Sequence, residues 1–134
     1  MLCRSLAEHL GCKVRAMQYL VQLRLTTTSR PKTADEGLAF IERYILPTLE
    51  RCEQLQTQGR VAAGGPVSGA VALDLIIDAE TAQGLDEVIT SLPAWPLMET
   101  TVTPLTTFAD RRQAVQGMRG RLSKAGREGA TAVQ

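Results

Sequence analysis

The feature that most constrains this chain is a period-two alternation that appears twice with apolar side chains on both phases. In residues 17–25, Met17, Tyr19, Val21, Leu23 and Leu25 fall on one face of an extended strand, and Gln18, Leu20, Gln22 and Arg24 on the other. In residues 70–77, Val71, Leu73, Leu75 and Ile77 alternate with Ala70, Ala72, Asp74 and Ile76. Residues 98–105 alternate again, with Pro104 near their end, and residues 60–63 offer a short fourth strand. Gly64-Gly65-Pro66 and Ser68-Gly69 follow that short strand and predict a turn.

Between the strands the period changes. Leu38, Ile41, Ile45, Leu49, Cys52 and Leu55 recur at steps of three or four, which predicts a helix over residues 35–58. Thr33 or Asp35 can cap its start, and Gly59 stands where a terminator belongs. Pro47 has no N–H for the carbonyl of Arg43, so the helix is expected to kink or divide there, curving along the sheet. A second helix is predicted over residues 79–91, capped by Asp78, with Ala82, Leu85, Val88, Ile89 and Leu92 facing inward. Pro93 and Pro96 then bracket a turn around Trp95.

The order strand, helix, strand, strand, helix, strand predicts an α+β fold. It is the ferredoxin-like βαββαβ arrangement, an antiparallel sheet with both helices on one face. Helices on one face leave the other phase of residues 17–25 and 70–77 facing water. A second copy, meeting it sheet to sheet, is the simplest cover, so a homodimeric α+β barrel is expected.

At 134 residues the chain suits one domain with a tail. The expected division is an N-terminal extension at 1–16, the domain at 17–110 and a basic helix or tail at 111–134. Net charge is only +1, but residues 17–110 carry six basic and twelve acidic groups, whereas residues 111–134 carry six basic groups against Glu128. Such a tail, helical over about residues 110–124, can stay solvated, lie on the chain's own acidic body, grip a partner subunit or touch an anion. Aromatic residues make up 4%, too few for a base-stacking platform, so no nucleic-acid partner is expected. No apolar run is long enough to cross a bilayer and none resembles a signal peptide, which predicts a cytoplasmic protein without a membrane partner. Cys3, Cys12 and Cys52 form no CxxC pair and read as free thiols, and the only histidine is His9, in the extension. Neither a metal motif nor the Lys-Ser/Thr ending of a phosphate-binding loop is present, so no cofactor is expected.

Leu92-Pro93-Ala94-Trp95-Pro96-Leu97-Met98 leads into the last strand, Leu55-Gln56 closes a helix before Gly59, and residues 71–92 form a strand–helix pair. Together these resemble the muconolactone Δ-isomerase-like family of dimeric α+β barrels, over residues 17–110. The resemblance implies a cofactor-free proton shift within an unsaturated lactone, in aromatic-acid catabolism, by dimers that build larger rings. It also implies a carboxylate on the first helix, and counting back from Gly59 puts Thr48 at that place.

A proton shift needs a base near the substrate carbon and a cation or donors for the developing oxyanion. Glu99 and Asp74 are the candidate proton carriers, and Arg24 the candidate carboxylate anchor by bidentate contact. Tyr19 and Tyr44 are candidate hydrogen-bond donors, Trp95 a flat wall for a ring, and Glu42 a further acid. Against these stand plainer roles: an Arg24–Asp74 ion pair at the dimer seam, a packing plug for Trp95 and a solvated helix face for Glu42. The expected partners are a second copy and a small organic acid or lactone. Two other functions stay open, a non-catalytic ligand-binding or assembly protein of this fold and a cofactor-independent monooxygenase.

Overall fold

The computed structural model describes residues 17–133, and side chains through residue 127. The expected extension at 1–16, with Cys3, His9 and Cys12, lies outside the described residues. Four strands, β1 (Met17–Leu25), β2 (Val61–Pro66), β3 (Ala72–Ala79) and β4 (Met98–Leu105), form one antiparallel sheet in the order β2-β3-β1-β4. This is the predicted ferredoxin-like topology. β1 and β3 are central, and their cross-strand pairs Val21–Leu75 and Leu23–Leu73 form the buried middle of the core. Proline stands on both edge strands, Pro66 on β2 and Pro104 on β4, where a missing N–H costs no ladder bond on the outer side.

The helices cover one face only. α1 (Ala34–Phe40) begins at Thr33, whose Oγ1 accepts the Glu36 N–H at 3.1 Å, so the sequence's first capping alternative is the one used. Residues Ile41–Ile45 then form a π turn, and α2 (Leu46–Thr57) follows with Pro47 in its first turn. The expected break is therefore real and has a defined form. Pro47 cannot donate to Arg43, and the ladder resets, with Leu46 N–H reaching back to Ile41 C=O. The reset divides the predicted stripe: Leu55 is fully buried and Leu49 and Cys52 pack on the core, but Leu38 and Ile41 face outward.

α3 (Ala82–Thr90) buries Leu85, Val88 and Ile89 against the same face, as predicted, and Leu92 follows them into the core. Its cap is Thr81, accepting the Gly84 N–H at 3.0 Å, and not Asp78. The reason is that β3 runs on through Ala79, which keeps Asp78 paired with Gln18 in the sheet, three residues short of the cap position. Likewise Gly64, Gly65 and Pro66 belong to β2 and not to the turn, which is shifted to the residues before Ala72. α4 (Phe108–Val133) extends the predicted basic helix in both directions.

Thr100 sits on the helix side, opposite Leu23, and its buried hydroxyl has no hydrogen-bond partner among the described residues. Thr100→Val replaces an orphaned hydroxyl by a methyl group of the same shape. It is expected to raise stability by about 1 kcal/mol, read as a higher urea midpoint with unchanged slope.

Candidate functional site

Two places in the fold gather groups that could act on a small molecule. The first is a cavity of about 190 Å³ between helix and sheet, where β1 ends and β4 begins. Ile45, Thr48 and Leu49 form its helix wall, and Val71, Leu73 and Met98 its sheet wall. Every side chain on it except Thr48 is apolar. It opens to solvent beside Val71, which is exposed, so it is a half-open apolar pocket with a volume that suits a single ring.

Thr48 is almost fully buried, and its Oγ1 accepts the N–H of Ala94 at 3.0 Å. That bond ties α2 to the Leu92–Met98 turn, whose Ala94 and Met98 also wall the cavity. A hydroxyl both accepts and donates, and the Thr48 O–H proton is given to no described group. It is thus one hydrogen-bond donor in an otherwise apolar wall. The position where the resemblance implied a carboxylate therefore faces the cavity, as threonine. Cys52, near it on α2, has its thiol pKa pushed up by burial, which keeps it neutral and a poor nucleophile.

The second place is the sheet face that no helix covers. Arg24 projects there, its Nη1 2.7 Å from Asp74 Oδ1 and also donating to Leu23 C=O at 3.2 Å. Glu99 is the cross-strand neighbour of Arg24 on β4, so the register puts all three predicted charged residues in one patch. Asp74 is the one engaged by the guanidinium. Both members of that pair are roughly 40% exposed (43% and 39%), so in the single chain the pair contributes less than about 1 kcal/mol. The large apolar side chains of this face are Leu20 and Ile76, paired across β1 and β3, and Leu105, paired with Gln18 on β4, all only partly buried. They are bordered by Gln18, Gln22, Asp78, Thr101 and Thr103, so the face is more polar than the two-sided alternation suggested.

The other predicted site residues lie apart from both places. Tyr19 is on the helix side at the far end of β1, packed on the core, its hydroxyl 3.8 Å from Met17 Sδ. Tyr44 stands in the π turn with its ring 6.0 Å from that of Phe40. Trp95 is 39% exposed in a short 3-10 turn (Trp95–Leu97), beside the cavity wall and outside it. Glu42 is exposed in the π turn.

An antiparallel α+β sheet with helices on one face and an apolar pocket beneath α2 defines the class of this protein. Within that class, the muconolactone delta-isomerase family profile matches residues 17–111, and the chain belongs to that family. The fold is similar to the crystal structure of muconolactone isomerase, with a TM-score of 0.56 and 21% sequence identity over 68% of this chain and 90% of that one. No curated protein matches it. No described helix is long and apolar enough to cross a membrane.

Proposed function

We propose that this protein binds a small, largely apolar ring compound bearing one acceptor oxygen, of the unsaturated-lactone class, in the cavity between α2 and the sheet. The observation that carries this reading is Thr48: a buried hydroxyl with an uncommitted proton, set in a wall that is otherwise hydrocarbon. The ring replaces water against Ile45, Leu49, Val71, Leu73 and Met98, and the carbonyl accepts from Thr48. A donor of this kind orients a ligand and polarises its carbonyl. It does not carry a proton from carbon to carbon, so the cavity is read as a binding site first.

A second reading has its own support. Arg24, Asp74 and Glu99 converge on the open sheet face, and a second copy laid on that face would close them into a shared pocket centred on Leu20 and Ile76. There Arg24 would hold a carboxylate and Glu99, the carboxylate not engaged by Arg24, would move the proton in a cofactor-free isomerase. The homodimer belongs to this proposal, as does the domain at 17–110 that would form it.

Titration calorimetry and isotope exchange separate the two. With a muconolactone as probe, Thr48→Val is expected to weaken binding about tenfold and Thr48→Ser to preserve it, because only serine keeps the hydroxyl. Equal affinities in all three proteins would remove the cavity as the site. Deuterium exchange at the lactone α-carbon that disappears in Glu99→Gln or Asp74→Asn would establish the isomerase reading and make the cavity secondary.

A further inference from the structure

α4 stands outside what the family accounts for. The family match ends at residue 111, whereas α4 runs from Phe108 to Val133. At 1.5 Å per residue it is about 39 Å long, and it packs on no other described element to any substantial extent. It nonetheless carries an apolar stripe. Phe108, Val115, Met118 and Leu122 recur at steps of seven, three and four, which holds them within an arc of about 80° at 100° per residue. All four are exposed, Phe108 at 97% and Leu122 at 72%. Arg111, Arg112 and Arg119 fall in or beside the same arc.

A second exposed stripe of opposite charge lies on the first helical segment. Leu38, Ile41 and Leu46 face outward, and the hydrogen bond from Leu46 to Ile41 across the π turn brings these two to the same side. Asp35, Glu42 and Glu50 stand three or four residues from members of this stripe, with Lys32, Arg43 and Arg51 the cations beside them in sequence. Residues 34–57 hold five acidic and two basic groups, and residues 108–127 six basic groups and one acidic. Within one chain the two stripes start from opposite ends of the sheet: α4 follows Leu105, paired with Gln18, while α1 follows the other end of β1.

We propose that α4 of one copy docks on the outward stripe of residues 34–57 of a second copy. Phe108, Val115, Met118 and Leu122 cover Leu38, Ile41 and Leu46, while Arg112 and Arg119 face Glu42 and Glu50. Charge decides among the occupants. Two α4 helices would bring like charges together, and residues 1–16 are themselves net positive. A lipid surface needs a broad apolar face, whereas Arg111 interrupts this one. The contact is separate from the open sheet face, so it links copies whether or not that face also pairs.

The test is sedimentation velocity on the full chain across ionic strength, from about 0.1 M to about 1 M salt. The native protein is expected to assemble more tightly at low salt. Arg112→Glu with Arg119→Glu should weaken assembly about tenfold and flatten its salt dependence, as should Glu42→Arg with Glu50→Arg. All four substitutions in one chain should restore it. All sites are exposed on helices, and circular dichroism checks that each variant keeps its fold. Unchanged assembly in either double variant, or failure of the fourfold variant to restore it, overturns the proposal. So does co-sedimentation of the native chain with phosphatidylserine vesicles that the Arg pair abolishes while self-association stays the same.

Discussion

Gly64→Ala is expected to lower stability by about 3 kcal/mol, a large loss for a single added methyl group. Gly64 has φ +124°, a conformation that side-chain-bearing residues rarely adopt. A Cβ there would land on the carbonyl oxygen of Asp74 and lie 2.8 Å from Leu75 Cα, both backbone atoms of the neighbouring central strand. Neither can move without breaking the β2–β3 ladder, because Gly64 pairs with Leu75 and Gly65 with Asp74 in that register. Gly65 is the internal control: its φ is not positive and an added Cβ meets nothing within 4 Å. Gly65→Ala should therefore cost less than about 1 kcal/mol. Urea unfolding of the two variants checks this, and equal losses would mean that the strands do not approach so closely. The same displacement would reach both candidate sites, since Pro66 walls the cavity and Asp74 holds Arg24.

That glycine also shows why part of the fold was illegible in the residues. Gly64-Gly65-Pro66 reads as a turn by composition, because glycine and proline usually interrupt strands. Here glycine is present because two backbones come close, and proline is tolerated because β2 is an edge. Both reasons depend on strand order, which no local window contains. The central strands were legible for the converse reason. Val21, Leu23, Leu75 and Ile77 must alternate to fill one core, and any slip by one residue would turn them to the other face. Asp78 failed as a cap on similar grounds: it is held in β3 by its pairing with Gln18, a partner sixty residues upstream.

The candidate site divides in the same way. Arg24, Asp74 and Glu99 share a patch because strand phase and neighbour order bring them there, and both followed from the topology. Tyr19, Tyr44 and Trp95 were chosen for their chemistry, and the fold sends them to separate places. Thr48 carried one signal, its position relative to Gly59, and it is buried because it shares the inward face of α2 with Leu55, seven residues on. The Leu92–Met98 turn was read for its prolines and Trp95, but it is Ala94, the small residue between them, whose backbone N–H reaches Thr48.

The π turn makes the sharpest demand on experiment, because Leu38 and Leu55 belong to one apolar stripe if the helix is taken as regular. In the structure Leu55 is 0% exposed and Leu38 is 58% exposed. A π turn absorbs an extra residue, and at 100° per residue one extra position turns everything before it well away from the face that follows. Leu55→Ala is accordingly expected to cost about 2–5 kcal/mol, the range for a truncated leucine that leaves a cavity. Leu38→Ala should change subunit stability by less than about 0.5 kcal/mol. The comparison belongs at about 0.5 M salt, where charge-steered contacts between copies are weakened and urea unfolding reads the subunit alone. A large loss from Leu38→Ala would mean that the helix runs straight through Pro47 with Leu38 in the core. The outward stripe that α4 is proposed to cover would then not exist, whereas Thr48, which shares a face of α2 with Leu55, would keep its place.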